Sequence, residues 1–157
     1  MDPMKAVAAL FADLNWPARK IPEYPVYSCA LAVPNGPLEI FCHVHAERER
    51  VLFYIRPQEL EIVHARLAML MEFLTRANYG LPLGNFELDL ADHELNFKNS
   101  VQLPERCVAP DILKPYLLQA VETCNFYLPG IREVLAGAVP AEVIGRLEQG
   151  AASTRSE

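Results

Sequence analysis

Helical spacing comes first along the chain. Val7, Leu10, Phe11 and Leu14 recur at i, i+3, i+4 and i+7, the mark of one buried stripe. Asp2-Pro3 supplies the start, an N-cap carboxylate before a proline whose missing N–H costs nothing there. Asn15-Trp16-Pro17 supplies the stop. The period then changes to two. Tyr24–Val33 and Leu38–Glu47 read as paired strands about Pro34-Asn35-Gly36-Pro37. A loop centred on Asn35-Gly36 sets Tyr27, Cys29, Leu31 and Val33 opposite Val44, Cys42, Ile40 and Leu38. Four loop residues are expected, because Pro37 cannot donate the bond that closes a two-residue loop at that centre. This face is apolar and predicts a core. The other face, Val26, Ser28, Ala30 and Ala32 against His45, His43, Phe41 and Glu39, is mixed, as on a partly solvated antiparallel sheet.

After a charged turn at Glu47–Arg50, Val51–Ile55 is apolar on both faces and predicts an interior strand. Pro57 is read as opening a long helix to about Asn78, with Glu59 and Glu61 in its favourable first turn. Leu60, Val63, Leu67, Leu70, Leu74 and Ala77 form its main stripe. At 100° per residue Ile62, Met69 and Phe73 form a second, narrower one, separated from the first by Arg66. Either another element of the chain covers that stripe, or Ile62, Arg66, Met69 and Phe73 form a partner or dimer surface. Gly80 and Gly84 bracket a loop into a second hairpin, in which Phe86, Leu88 and Leu90 alternate with Glu87 and Asp89. Ala91-Asp92-His93 turns the chain, and Leu95, Phe97 and Val101 return along the core side. A helix follows over Asp111–Leu128, kinked or broken by Pro129-Gly130 before Ile131–Ala136, and Pro140–Gln149 is a last short one. The order α-βββ-α-ββ-α(α) predicts an α+β fold, an antiparallel sheet layered with helices. Residues 1–150 read as a single domain and 151–157 as a disordered tail.

Composition narrows the function. With 157 residues, 52% of them hydrophobic, the chain carries enough apolar surface for one core. Its net charge of −6 opposes a phosphate backbone, so no nucleic-acid partner is expected. The longest apolar run, Ala6–Ala12, is far short of the roughly 20 residues that span a bilayer, and it makes a poor signal peptide. No membrane association is expected, and the expected location is cytoplasmic.

Catalytic signals are missing. None of the phosphate-binding, dinucleotide, nucleophile-elbow or metalloprotease motifs is present, so no catalytic residue, cofactor or metal is assigned. The four cysteines have no C-x-x-C spacing, and Cys107 and Cys124 have no inferable partner. Cys29 and Cys42 face each other in the predicted register, a separation a disulfide could bridge, although two small buried hydrophobes are expected. His43 and His45 share a strand face, where a third ligand, Glu39, Glu47 or a neighbouring-strand residue, would make a metal site. The alternative function is therefore a small-ligand or metal-binding sensor.

The stretch Phe73–Asp89 resembles the YbjN-domain family, whose signature is an asparagine at the end of the long helix, a short loop and a G-x-F-x-x-D strand. Asn78, Gly84, Phe86 and Asp89 occupy those places; His93 stands where such a turn often carries glycine. Asn15-Trp16 and Asn125-Phe126-Tyr127-Leu128-Pro129 are similar to the same family, and the likeness spans roughly residues 4–145. That family is similar in fold to type III secretion chaperones. The resemblance implies a bacterial, non-enzymatic role: sensory-transduction regulation, or binding of client proteins by a module that forms homodimers. The partner it implies is a protein client or a second copy of the chain.

Overall fold

The structure, a computed structural model, describes residues 1–103 and 108–154. Its elements are helix α1 (Pro3–Asp13), strands β1 (Arg19–Lys20), β2 (Val26–Val33), β3 (Gly36–His45) and β4 (Arg50–Pro57), helix α2 (Leu67–Gly80), strands β5 (Asn85–Leu88) and β6 (Leu95–Gln102), and helices α3 (Pro110–Leu135) and α4 (Pro140–Thr154). The six strands form one antiparallel sheet in the order β1-β2-β3-β4-β6-β5. The α+β order is the one expected, with the two-residue β1 added at one edge.

Alternation decides which side of the sheet is dry. Leu38, Ile40, Cys42 and Val44 of β3, with Val51, Phe53 and Ile55 of β4, are all buried on one face. Helices pack on this face: Phe11 of α1 meets Tyr27 of β2, and Asn99 of β6 donates to the Tyr116 carbonyl of α3. α4 folds back onto α2 and α3, closing a second layer over Phe73 and Tyr127. Asp2 caps α1 as its position predicts, accepting the Lys5 amide at 3.1 Å.

Four expectations need correction. The first hairpin turns on Pro34-Asn35, with Val33 paired to Gly36, so Cys29 faces Ile40 and Cys42 faces Tyr27. Both faces survive, because a shift of two preserves parity; the disulfide pairing does not. Pro37 then pairs with Ala32, one step beyond the closing pair, where the ladder asks for no donor across the hairpin.

The long helix begins ten residues later than expected. Pro57 is the last residue of β4, paired with Leu38, and Glu59 adopts a left-handed φ of 60°. A 3₁₀ turn at His64–Arg66 then leads into α2.

Pro129 does not break α3, which runs on to Leu135. A proline there deprives the Asn125 carbonyl of its i+4 donor. That carbonyl instead accepts the Asn35 side-chain amide at 2.9 Å. Asn125 Oδ1 takes the Asn35 backbone N–H at 3.0 Å, and Arg132 donates to the Asn35 carbonyl. The hairpin tip thus repairs the helix it touches.

Finally, α4 continues to Thr154, so the first four residues of the expected 151–157 tail are helical; 155–157 lie outside the described residues, as does Cys107.

Candidate functional site

The four residues expected to form a partner surface are not on one helix. Ile62 lies in the loop before α2, where its carbonyl is 3.0 Å from His93 Nδ1. Arg66 ends the 3₁₀ turn, with Nη1 3.7 Å from Met69 Sδ. Met69 is half-buried against the core, and Phe73 is completely buried. Phe73 stacks edge-on against Tyr127, and a Cβ added to Gly130 would sit 2.7 Å from its ring. Of that stripe, Phe73 is covered by α3 of the same chain and offers nothing to an interface, whereas Ile62 and Met69 stay partly buried.

Asn78, Gly84, Phe86 and Asp89 do come together, in structural roles. The Asn78 side chain accepts the Phe86 N–H at 2.7 Å and donates to the Phe86 carbonyl at 3.0 Å, standing in for a neighbouring strand at the free edge of β5. Gly84 has φ +71°, and a Cβ there would lie 2.7 Å from the Lys98 carbonyl oxygen and from the Phe97 ring. Asp89 Oδ1 accepts the Ala91 N–H at 2.8 Å, starting the turn in which His93 takes φ 63°. His93 holds the position without glycine, anchored by its contact with the Ile62 carbonyl.

The outer face of the sheet carries a groove of about 630 Å³, and among the described residues none that lines it comes from a helix. At the β1–β2 end it is apolar, with Ile21, Tyr24 and Val26. Its floor is Phe41 and His43 of β3 beside Tyr54 and Arg56 of β4. The Arg56 guanidinium lies 4.8 Å above the Phe41 ring, a cation–π contact. It also donates to Asn96 Oδ1 at 3.1 Å and pairs with Glu94 at 2.6 Å, while Asn96 Nδ2 donates to Glu94 at 2.8 Å. Glu87, paired with Lys98, and Asp89 complete the acidic end at β5–β6.

His43 and His45 stack at 6.2 Å, and His43 meets Tyr54 edge-on at 5.2 Å. Burial first, then the neighbouring His45 and Arg56, lowers the His43 pKa below its ordinary value, which favours the neutral ring. The expected third metal ligand does not arrive: Val26 and Leu52 flank His43, and Arg50 lies opposite His45. Among the described residues no group of three or more His, Cys, Asp or Glu side chains could hold a metal ion. Cys29, Cys42 and Cys124 are free, buried thiols whose pKa values burial raises.

Sequence reasoning placed Phe41 and His43 on the mixed face but did not join them to Tyr54 and Arg56. The available signal was the outward position of two aromatic rings, Phe41 and Tyr54, on adjacent strands.

No family model matches the chain, and no curated protein matches it. Among solved structures it is similar to YbjN from E. coli, with 13% identity over 80% of this chain and 87% of that one, at a TM-score of 0.60. It is also similar to a chain of the ExsC–ExsE complex, with 15% identity over 82% and 96% of the two chains, at 0.50. A chain of the HopA1–SchA chaperone–effector complex matches at 0.47, with 17% identity over 82% and 91%. The fold is YbjN-like, the α+β architecture that the chain shares with the first two of these structures.

Proposed function

We propose that this chain is a non-enzymatic, chaperone-like or regulatory protein-binding module that holds its partner on the outer face of the sheet. One observation carries the reading. The helices pack on one face of the sheet, while the other keeps a groove of about 630 Å³ with aromatic and apolar side chains among charged ones. Aromatic and apolar side chains set among placed polar and charged groups give a binding surface both contact area and specificity. The YbjN-like fold and the likeness to a chain solved in a protein–protein complex support the same reading. Among the described residues no helix is long and apolar enough to cross a membrane.

Co-purification from a native lysate tests it, with wild type compared against Tyr24→Ser/Tyr54→Ser. The reading expects a protein retained in stoichiometric amount by wild type and lost from the folded double variant. Retention of nothing above background across several conditions, or equal retention by both chains, refutes it.

A further inference from the structure

The groove has two unlike ends, and the sheet order separates them. Tyr24 and Val26 stand at the β2 edge, Phe41 and Arg56 at mid-sheet, and Glu87, Asp89 and Glu94 about the β5–β6 hairpin. From β2 to β5 there are four strand-to-strand steps in the order β2-β3-β4-β6-β5. At about 4.8 Å each they span roughly 19 Å, the length of about six residues of extended chain at ~3.3 Å per residue. Charge is divided in the same direction. Tyr24 is 63% exposed, an aromatic ring offered to solvent, and Val26 is buried beneath that end. At the other end, among the described residues, three carboxylates face two cations, Arg56 on Glu94 and Lys98 on Glu87, which leaves an excess of negative charge there. Burial, with His45 and Arg56 nearby, lowers the His43 pKa and so disfavours a positive charge there.

We infer that the groove takes an extended protein segment of about six residues whose apolar or aromatic end sits on Tyr24, Val26 and Phe41 and whose Lys or Arg end meets Glu87, Asp89 and Glu94. The inference rests on the protein-binding reading and names the chemistry of the partner. A uniformly apolar segment leaves the carboxylate end without a counter-charge, and an acidic one is repelled there. A uniformly basic segment leaves the aromatic end exposed. Only a segment that changes character along its length matches both ends.

A display library of random heptapeptides, selected on the immobilised full chain, tests this. Enriched peptides are expected to pair an apolar or aromatic residue with Lys or Arg four to six positions away. The variant Glu87→Gln/Asp89→Asn/Glu94→Gln keeps the acceptors that hold Lys98, Ala91 and Arg56 while removing the charge. Fluorescence polarisation with a synthesised winner should show about tenfold weaker binding to that variant, while a copy of the peptide with its basic residue neutralised binds both chains equally. Tyr24→Ser should weaken both peptides. Enriched peptides without basic residues, or binding indifferent to the folded triple variant, overturn the inference and leave the protein-binding reading standing. Enrichment of no peptide also overturns it, and the broader reading falls only if the lysate capture fails as well. If the triple variant does not fold, Glu87→Gln and a salt titration of wild type decide: affinity falling with salt supports the inference, and salt-independent affinity sinks it.

Discussion

The contact between Asn35 and the Pro129 region of α3 can be measured as a coupling. Asn35→Ala removes the amide that serves the Asn125 carbonyl and leaves the two contacts made by the Asn35 backbone in place. One hydrogen bond lost, with a partly buried carbonyl left without its donor, should cost about 1–2 kcal/mol. Pro129→Ala restores a backbone N–H in the position where an intact helix would bond that same carbonyl. In the Pro129→Ala background the Asn35 amide is therefore redundant, and its loss should cost about 1 kcal/mol less. Urea unfolding of the four chains, wild type, both singles and the double, closes the cycle, provided the m-values agree. Residues in direct contact are expected to couple, whereas independent sites add to within about 0.3–0.5 kcal/mol. Additivity within that margin would show that the amide is not what replaces the missing helix donor, and the account of why α3 survives its proline would fail.

Phe73→Glu places a carboxylate in the core between α2, α3 and α4, so it should cost more than about 4 kcal/mol and be read as a collapse of the thermal transition by circular dichroism. A stable, folded variant would return Phe73 to the surface. Asn78→Ala removes both bonds to the Phe86 backbone and should destabilise by about 2–4 kcal/mol, with faster amide exchange at Phe86; Asn78→Asp, which still accepts but cannot donate, should fall in between. A loss below about 0.5 kcal/mol would mean the edge of β5 does not need this partner. The lowered pKa of His43 makes stability pH-dependent: above about 6.5 its contribution is fully present, and below that the unfolded chain binds the proton more readily, so stability falls as pH drops through the folded value. His43→Gln should flatten that part of the profile between pH 7.5 and 5 in urea unfolding, and an unchanged slope would contradict it.

Local chemistry decided much of this protein in its sequence alone. The N-cap at Asp2, the strand faces of β2 and β3, the interior place of β4 and the α+β order all follow from patterns a few residues long, since helix and strand periods are properties of the nearby chain. The Phe73–Asp89 stretch was legible for the same reason, and its hydrogen bonds explain why those residue types stand there. What remained hidden depended on contacts between distant segments. Parity survives a shift of two, so the pattern alone cannot choose between registers; the tip of the hairpin is held where Asn35 meets Asn125, 90 positions away. Pro57 carries the same local signal at a helix start as at a strand end, and pairing with Leu38 settles it. Pro129 reads as a break until a donor from another element replaces its own. The groove was least legible of all, because its lining is assembled from five strand or loop segments, and only the tertiary fold places an aromatic end and an acidic end on one surface.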